Sequence, residues 1–339
     1  MEKIINVVSM MRGIFISMII VFVILGFRVD TFAQGYPTQP ITIVCGSSAG
    51  GITDIAARTL ANEAKKFLGG EILNTAKPGA MHTVAMSYVI SRPADGYTLG
   101  TSTDAPFTRA PHTMKLSFNP LTDVTPIIAY GNFYDLLVAR GDSPFKTFKD
   151  AIDFAKANPG KLSYGDLGAT SISHINMAAL ALQMGLNISM VPYGGDAPVI
   201  LDILGGHIMI GGVGISSIVE HVKAGKLKVI GVVQGEERWE KFPEAPTYYE
   251  LGFKDATPPP NLCIWGPKGM PDPVVMKLED AFKKASETPA FKKFALENEV
   301  SPMKKGQQAI TGQELRNFLV KTHEVYGNLF QKLGMSKKP

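Results

Sequence analysis

Ser47, Ser48 and Ala49, followed by the pair Gly50-Gly51 and then by Thr53 and Asp54, stand between a β-branched run over residues 41 to 45 and a helical pattern that passes through Arg58. This order predicts a strand, a tight elbow and a helix. Glycines let the backbone turn and come close to a ligand, and the first N–H groups of the helix, which have no intrahelical partner, point into the same space. Such a helix start attracts anions, with Thr53 or Asp54 able to cap it. No lysine follows the glycines and the G-x-G-x-x-G spacing is absent, so a carboxylate suits this elbow better than a pyrophosphate.

Comparable groupings recur downstream. Thr101, Ser102 and Thr103, with Asp104 behind them, follow a strand-like run, and their hydroxyls can donate to a carboxylate; an ordinary Ser/Thr turn is the structural alternative. Ala169, Thr170 and Ser171 precede a helical pattern over 173 to 184 that carries His174 in its first turn. A histidine there can meet a ligand or be packed and hydrogen-bonded within the fold. Tyr193, Gly194 and Gly195 open a further helix at Ala197-Pro198, proline being favourable at a helix start, and offer backbone donors. Val213 and Gly214 either line the same edge or permit close packing of helix on sheet. Phe107, Phe133 and Tyr134 suit core or hinge packing better than stacking on a solute, and Trp239 and Trp265 read as structural.

Lys3 and Arg12 precede an apolar run over residues 13 to 27, and Thr31 and Ala33 follow it. This reads as a secretory signal peptide over residues 1 to 33, cleaved near Ala33, because the run is shorter than the roughly 18 to 20 residues of a membrane-spanning helix. A periplasmic location follows. Removal leaves 306 residues, above the size at which a single core stops growing, so two lobes are expected. The formal net charge of +4, spread along the chain, argues against a nucleic-acid partner. Cys45 and Cys263 lie in apolar strand-like runs without metal or redox spacing and read as buried free thiols, although an oxidising compartment allows a disulfide. No metal or cofactor is expected.

From Gln39 onward short apolar strands alternate with amphipathic helices, the pattern of parallel α/β layers. Strands are predicted at 41 to 45, 71 to 75, 97 to 101, 136 to 139, 161 to 164, 188 to 191, 208 to 211, 227 to 233 and 261 to 265. Helices are predicted at 53 to 68, 83 to 91, 147 to 157, 173 to 184, 197 to 204, 216 to 223, 272 to 286, 289 to 297 and 311 to 333. Pro258-Pro259-Pro260 marks a crossing back. The expected organisation is a first lobe beginning over 34 to 135, a second lobe over 136 to 257, and a return to the first with the C-terminal helices over 258 to 339. Two connections between lobes suit hinge closure over a cleft.

Taken in order, several segments resemble the Bug or TctC type solute-binding receptors of tripartite tricarboxylate transporters. The carriers are Tyr36-Pro37-Thr38-Gln39-Pro40-Ile41, Gly50-Gly51-Ile52-Thr53-Asp54-Ile55-Ala56-Ala57-Arg58, Pro78-Gly79-Ala80, Pro93-Ala94-Asp95-Gly96-Tyr97-Thr98-Leu99, Gly168-Ala169-Thr170-Ser171-Ile172-Ser173-His174, Val191-Pro192-Tyr193-Gly194-Gly195 and Asp202-Ile203-Leu204-Gly205-Gly206. The resemblance implies two Rossmann-like lobes of class II periplasmic binding protein architecture with a hinged cleft. It implies no catalysis. A carboxylate of the solute would be held at the cleft floor by backbone N–H groups, hydroxyls and bridging waters, with Asp54 either orienting water or capping its helix.

Departures from the family pattern are informative. Ser47 and Ala49 stand where Phe and Pro are usual, Met81-His82 where glycines follow Pro-Gly-Ala, Thr170 at a glycine position, and Asp166 where a small hydroxyl residue is common. Asp166, if it faces the cleft, would favour a ligand with a cationic group. The implied partners are a di- or tricarboxylate, aromatic acid or amino acid and membrane permease subunits, with the receptor a monomer. A ligand-loaded sensor for a signalling receptor would keep the same pocket. An exported α/β hydrolase using Ser171 or Ser216 with His174 fits less well, since no G-x-S-x-G elbow is present.

Overall fold

The computed structural model of the chain describes residues 35 to 235, 238 to 239 and 241 to 337, so the expected signal peptide lies outside the described residues. The first lobe opens with β1 (Ile41–Cys45), α1 (Ile52–Leu68), β2 (Ile72–Ala76), α2 (Thr83–Ile90), β3 (Thr98–Thr103), two single-turn helices α3 (Ala105–Thr108) and α4 (Ala110–Thr113), and β4 (Val124–Asn132). The second comprises β5 (Asp135–Arg140), α5 (Phe148–Ala157), β6 (Ser163–Asp166), α6 (Ile172–Met184), β7 (Ser189–Pro192), α7 (Asp196–Gly205), β8 (Ile210–Gly214), α8 (Val219–Lys223) and β9 (Leu227–Val232). The chain closes with β10 (Asn261–Pro267), α9 (Asp272–Ser286), α10 (Pro289–Glu297), β11 (Ile310–Thr311) and α11 (Gly312–Lys332).

α1 shows why these elements form where they do. Ala56, Ala57, Leu60, Ala61, Ala64 and Leu68 recur at helical spacing and are buried, while Gly69 ends the helix at φ 71°, a left-handed conformation that costs glycine nothing. The apolar stripe packs with Ile41 and Ile43 of β1, a strand buried at four of five positions because the lobe covers it on both faces.

The strand orders are β11-β4-β10-β3-β1-β2 in one sheet and β7-β6-β8-β5-β9 in the other. Both sheets are mixed rather than purely parallel. β1 runs parallel to β2 and β3, whereas β10 is inserted antiparallel between β3 and β4. Likewise β6 runs parallel to β7 and β8, and β5 lies antiparallel between β8 and β9. In each case the antiparallel strand is the first one laid down after the chain crosses between sheets. The two crossings lie side by side, joined by the Phe133 N–H donating to the Pro260 carbonyl at 2.9 Å.

β4 was not legible in the sequence. Pro126 and Gly131 interrupt its pattern, yet Pro126 falls at an irregularity in the β10 register, where a missing N–H is tolerated. The helix expected over 216 to 223 divides into a 3-10 turn (Ile215–Ser217) and α8. α11 does more than return to the first lobe: Leu315 and Leu319 pack in a first-lobe core, while Tyr326, Leu329 and Phe330 enter the core of the second.

Cys45 and Cys263 are buried and free. They align with Thr101 and Ser102 on opposite sides of β3, so two inter-strand spacings, about 10 Å, separate their backbones. A disulfide needs Cα atoms within about 7 Å. Denatured without reductant, the protein should therefore take up two equivalents of an alkylating agent, and reductant should leave its melting temperature unchanged. A crosslinked species with neither thiol alkylated would contradict this strand spacing.

Candidate functional site

Arg109, just beyond the C-terminal end of β3, donates from Nη1 to the carbonyl of Thr170, just beyond the C-terminal end of β6, at 3.2 Å. The contact shows that the two sheets turn the same strand ends toward each other. In open α/β sheets, ligands bind outside these carboxyl ends.

On the first lobe the wall is the loop from β1 to α1. Gly50 adopts φ 81°, and Gly51 is the N-cap of α1 in extended conformation, without any side-chain cap. Thr53 and Asp54 thus do not cap. Asp54, 2% exposed, accepts the Gly50 N–H at 3.0 Å, and its two oxygens take Arg58 Nε at 3.0 and 2.9 Å. Burial pushes this carboxyl up, but the Arg58 guanidinium and the Gly50 N–H outweigh it and hold the group below the usual range. Asp54 braces the elbow as a paired acid and does not confront an anion bare. The N–H groups of Ser48, Ala49, Ile52 and Thr53 meet no protein acceptor among the described residues. Ser47 is half-buried and Ser48, Ala49 and Gly50 are exposed around them.

Facing this elbow is a strained turn. Ala80, Met81 and His82 have φ of 46°, 50° and 68°, three successive non-glycine residues in the left-handed region, at about 1 kcal/mol or more each. Glycine would adopt this conformation freely, whereas here residues with side chains hold it. One result is that His82 lies against Gly46, where an added Cβ would come 2.6 Å from His82 Cβ, with its Nδ1 3.4 Å from Ser47 Oγ. Burial pulls the imidazole pKa down, and nearby Arg109 adds to the effect.

Two candidate hydroxyls turn out to be structural. Thr101 donates to the Cys263 carbonyl at 3.0 Å and pairs with Tyr130, and Ser102 accepts the Trp265 indole N–H at 3.2 Å; both side chains are fully buried within the first lobe. Thr103, half-buried, remains at the strand end. Asp104 behind it is 1% exposed, with one oxygen 3.4 Å from Asn261 Nδ2 and the other unpartnered, and burial pushes its carboxyl up to about 6.

On the second lobe, Ser171 is the N-cap of α6, accepting the His174 N–H at 3.2 Å, while Ala169 and Thr170 are exposed. Asp166 does not face the cleft: fully buried, it takes the Gly168 N–H at 2.7 Å and His174 Nδ1 at 2.8 Å. It therefore orients the ring and leaves Nε2 as the free nitrogen. Thr170 lies outside the left-handed region and so carries its side chain without strain, the positive φ falling at Gly168 instead. Tyr193 turns its hydroxyl to Asp202 at 2.6 Å, whereas Gly194 and Gly195 have open space around them. Val213 is core, and the Gly214 N–H is occupied by Asp196 at 3.2 Å, so neither offers a donor. Asp196 also accepts from Ser217 at 2.6 Å, and burial pushes it up.

Arg109 and Asp135, which the sequence did not single out, lie at the same edge, Asp135 pairing with Gly214 at the end of β8. Desolvation, then Asp196, push Asp135 up to about 6, with Arg109 pulling the other way. The usable signal was position: a cation six residues past the end of β3, and an acid opening the first strand after the crossing. A cavity of about 300 Å³ bounded by Trp239, Lys241, Val300 and Gln308 includes none of these loops.

Two α/β lobes of matching strand order, joined by paired crossings and opposing loops of unpaired donors, define a class II periplasmic binding protein. The tripartite tricarboxylate transporter family receptor profile matches residues 56 to 335, and the chain belongs to that family. It is similar to the UPF0065 protein in gbd 5'region of Cupriavidus necator, with 35% identity over 311 residues covering 90% of each chain. It also resembles the structure of the periplasmic binding protein BugD, at 28% identity and TM-score 0.70 over 89% of this chain and all of that one. MatC from Rhodopseudomonas palustris, solved with bound malate, shares the fold at TM-score 0.68 and 23% identity over 87% of this chain and 99% of its own.

Asp104 makes the site sensitive to pH. Its folded pKa of about 6 exceeds the unfolded value of about 3.9, so the folded state holds the extra proton and stability falls as pH climbs from about 4 to about 6. Ionising it inside the lobe costs about 3 kcal/mol. Asp104→Asn should reduce that fall, leaving the part due to Asp135, and raise the melting temperature at pH 8, as thermal melts from pH 4 to 8 would register; an unchanged slope would place the titration elsewhere.

Proposed function

We propose that the protein is exported to the periplasm, captures a small carboxylate-bearing solute between its lobes, and delivers it to the membrane permease subunits of a tripartite tricarboxylate-type transporter. Its chemistry is reversible binding. The observation that carries this reading is the elbow at Ser47 to Thr53, where the N–H groups of Ser48, Ala49, Ile52 and Thr53 stand unpaired among the described residues at the start of a 17-residue helix. A carboxylate placed there meets oriented donors and the positive end of a helix dipole. His174 Nε2, the Ser171 loop, Gly194 and Gly195 form the opposing wall, and lobe closure excludes water around the solute. Malate as the ligand of MatC supports a small acid.

A thermal-shift screen of ligand-stripped protein against small carboxylic acids tests the reading. An acid at about 100 times its dissociation constant adds about 2.7 kcal/mol, enough to raise the melting temperature by several degrees in a protein of this size. Gly50→Val combined with Gly51→Val should abolish the shift while circular dichroism shows the fold retained, because side chains there block the backbone donors. A folded wild-type protein that answers no carboxylic acid would overturn the assignment, and an unchanged shift in the double variant would remove this elbow from the site.

A further inference from the structure

The cation at the cleft has no ion-pair partner. Among the described residues no carboxylate lies within ion-pair distance of Arg109, whose one hydrogen bond runs to the Thr170 carbonyl, and its Nε is buried without an acceptor. A guanidinium carries five N–H donors in a planar fork suited to a carboxylate. Four of the five are unused here. Its surroundings fix where a ligand would meet it. Arg109 bridges the loops that follow β3 and β6, its field reaches His82, and His82 in turn touches Ser47 of the carboxylate-binding elbow. The ring of Tyr326, 5.8 Å from its guanidinium carbon, flanks it.

We propose that Arg109 reads the far end of the solute, receiving a second anionic group while the elbow at Ser47 to Thr53 holds the first carboxylate. The protein thereby selects acids with two anionic groups over monoacids of the same length. This inference rests on the receptor reading given above. A second role for Arg109, compensating the charges of Asp104 and Asp135, makes a different prediction: both acids feel its field, so its loss would shift the melting-pH profile without changing ligand preference.

Matched pairs of linear acids separate these cases. Calorimetric titration of the full folded protein with succinate against butyrate, glutarate against valerate, and adipate against hexanoate should show tighter binding of the diacid in at least one pair. In that pair Arg109→Gln should weaken the diacid about ten- to a hundredfold and leave the monoacid unchanged, with Arg109→Lys in between because it keeps the charge and loses the fork. Equal weakening of both members would assign Arg109 to holding the lobes together through Thr170 and overturn the proposal. So would an unchanged diacid preference, with or without a shifted melting-pH profile. If the wild type binds monoacids and diacids alike, Arg109 reads no second anion although the receptor reading stands. If it binds no acid of either kind, both fall together.

Discussion

Phe133 donates its N–H to the carbonyl of Pro260, and that hydrogen bond clasps the two places where strands of one lobe give way to strands of the other. With the passages held side by side, each sheet receives its antiparallel strand next to β3 or β8, and the carboxyl ends of the parallel strands are turned toward a shared cleft. Every part of the proposed site lies on those ends: the elbow after β1, Arg109 after β3, the α6 cap after β6 and the glycines after β7. α11 joins the lobes a third time, with Leu315 and Leu319 in a core of the first and Tyr326, Leu329 and Phe330 in the core of the second.

The loops at the strand ends carry unfavourable features of their own. Asp104, Arg109 and Asp196 each keep a buried polar atom without a partner, and Ala80, Met81 and His82 hold a conformation unfavourable to side chains. Such features lower stability and persist where the surrounding packing enforces them. Here the enforcement is visible in cores that bury Ile41, Ile43, Leu60 and Ile264 on one side and Leu137, Tyr164 and Ile210 on the other.

Much of this architecture was legible from residue order. The elbow, α1, α9 and α10 emerge close to their predicted limits because apolar periodicity, glycine and proline agree there. β4 escaped because Pro126 mimics a strand breaker, and the antiparallel polarity of β5 and β10 is a property of long-range pairing that no local pattern encodes. Among the proposed site residues, Gly50, Ser171 and His174 lie past strand ends, as their place in the sequence suggested. Thr101 and Ser102 misled for the same reason, since the sequence does not say that Cys263 and Trp265 will arrive on the neighbouring strand to occupy their hydroxyls. Asp166 looked like a cleft charge until its partner eight residues away, His174, accounted for it.

The place of β10 sets an order of assembly. The second sheet draws all five strands from one continuous stretch, residues 135 to 232, and can form as soon as that stretch exists. The first sheet cannot: between β3 and β4 it has a slot that only residues 261 to 267 fill, more than 120 residues after β4 has been made. Contacts so distant in sequence form late and slow the search for the native state. The sheet whose strands are synthesised first is thus the sheet completed last, while α11, entering both cores, closes the two lobes together once the chain is nearly all available.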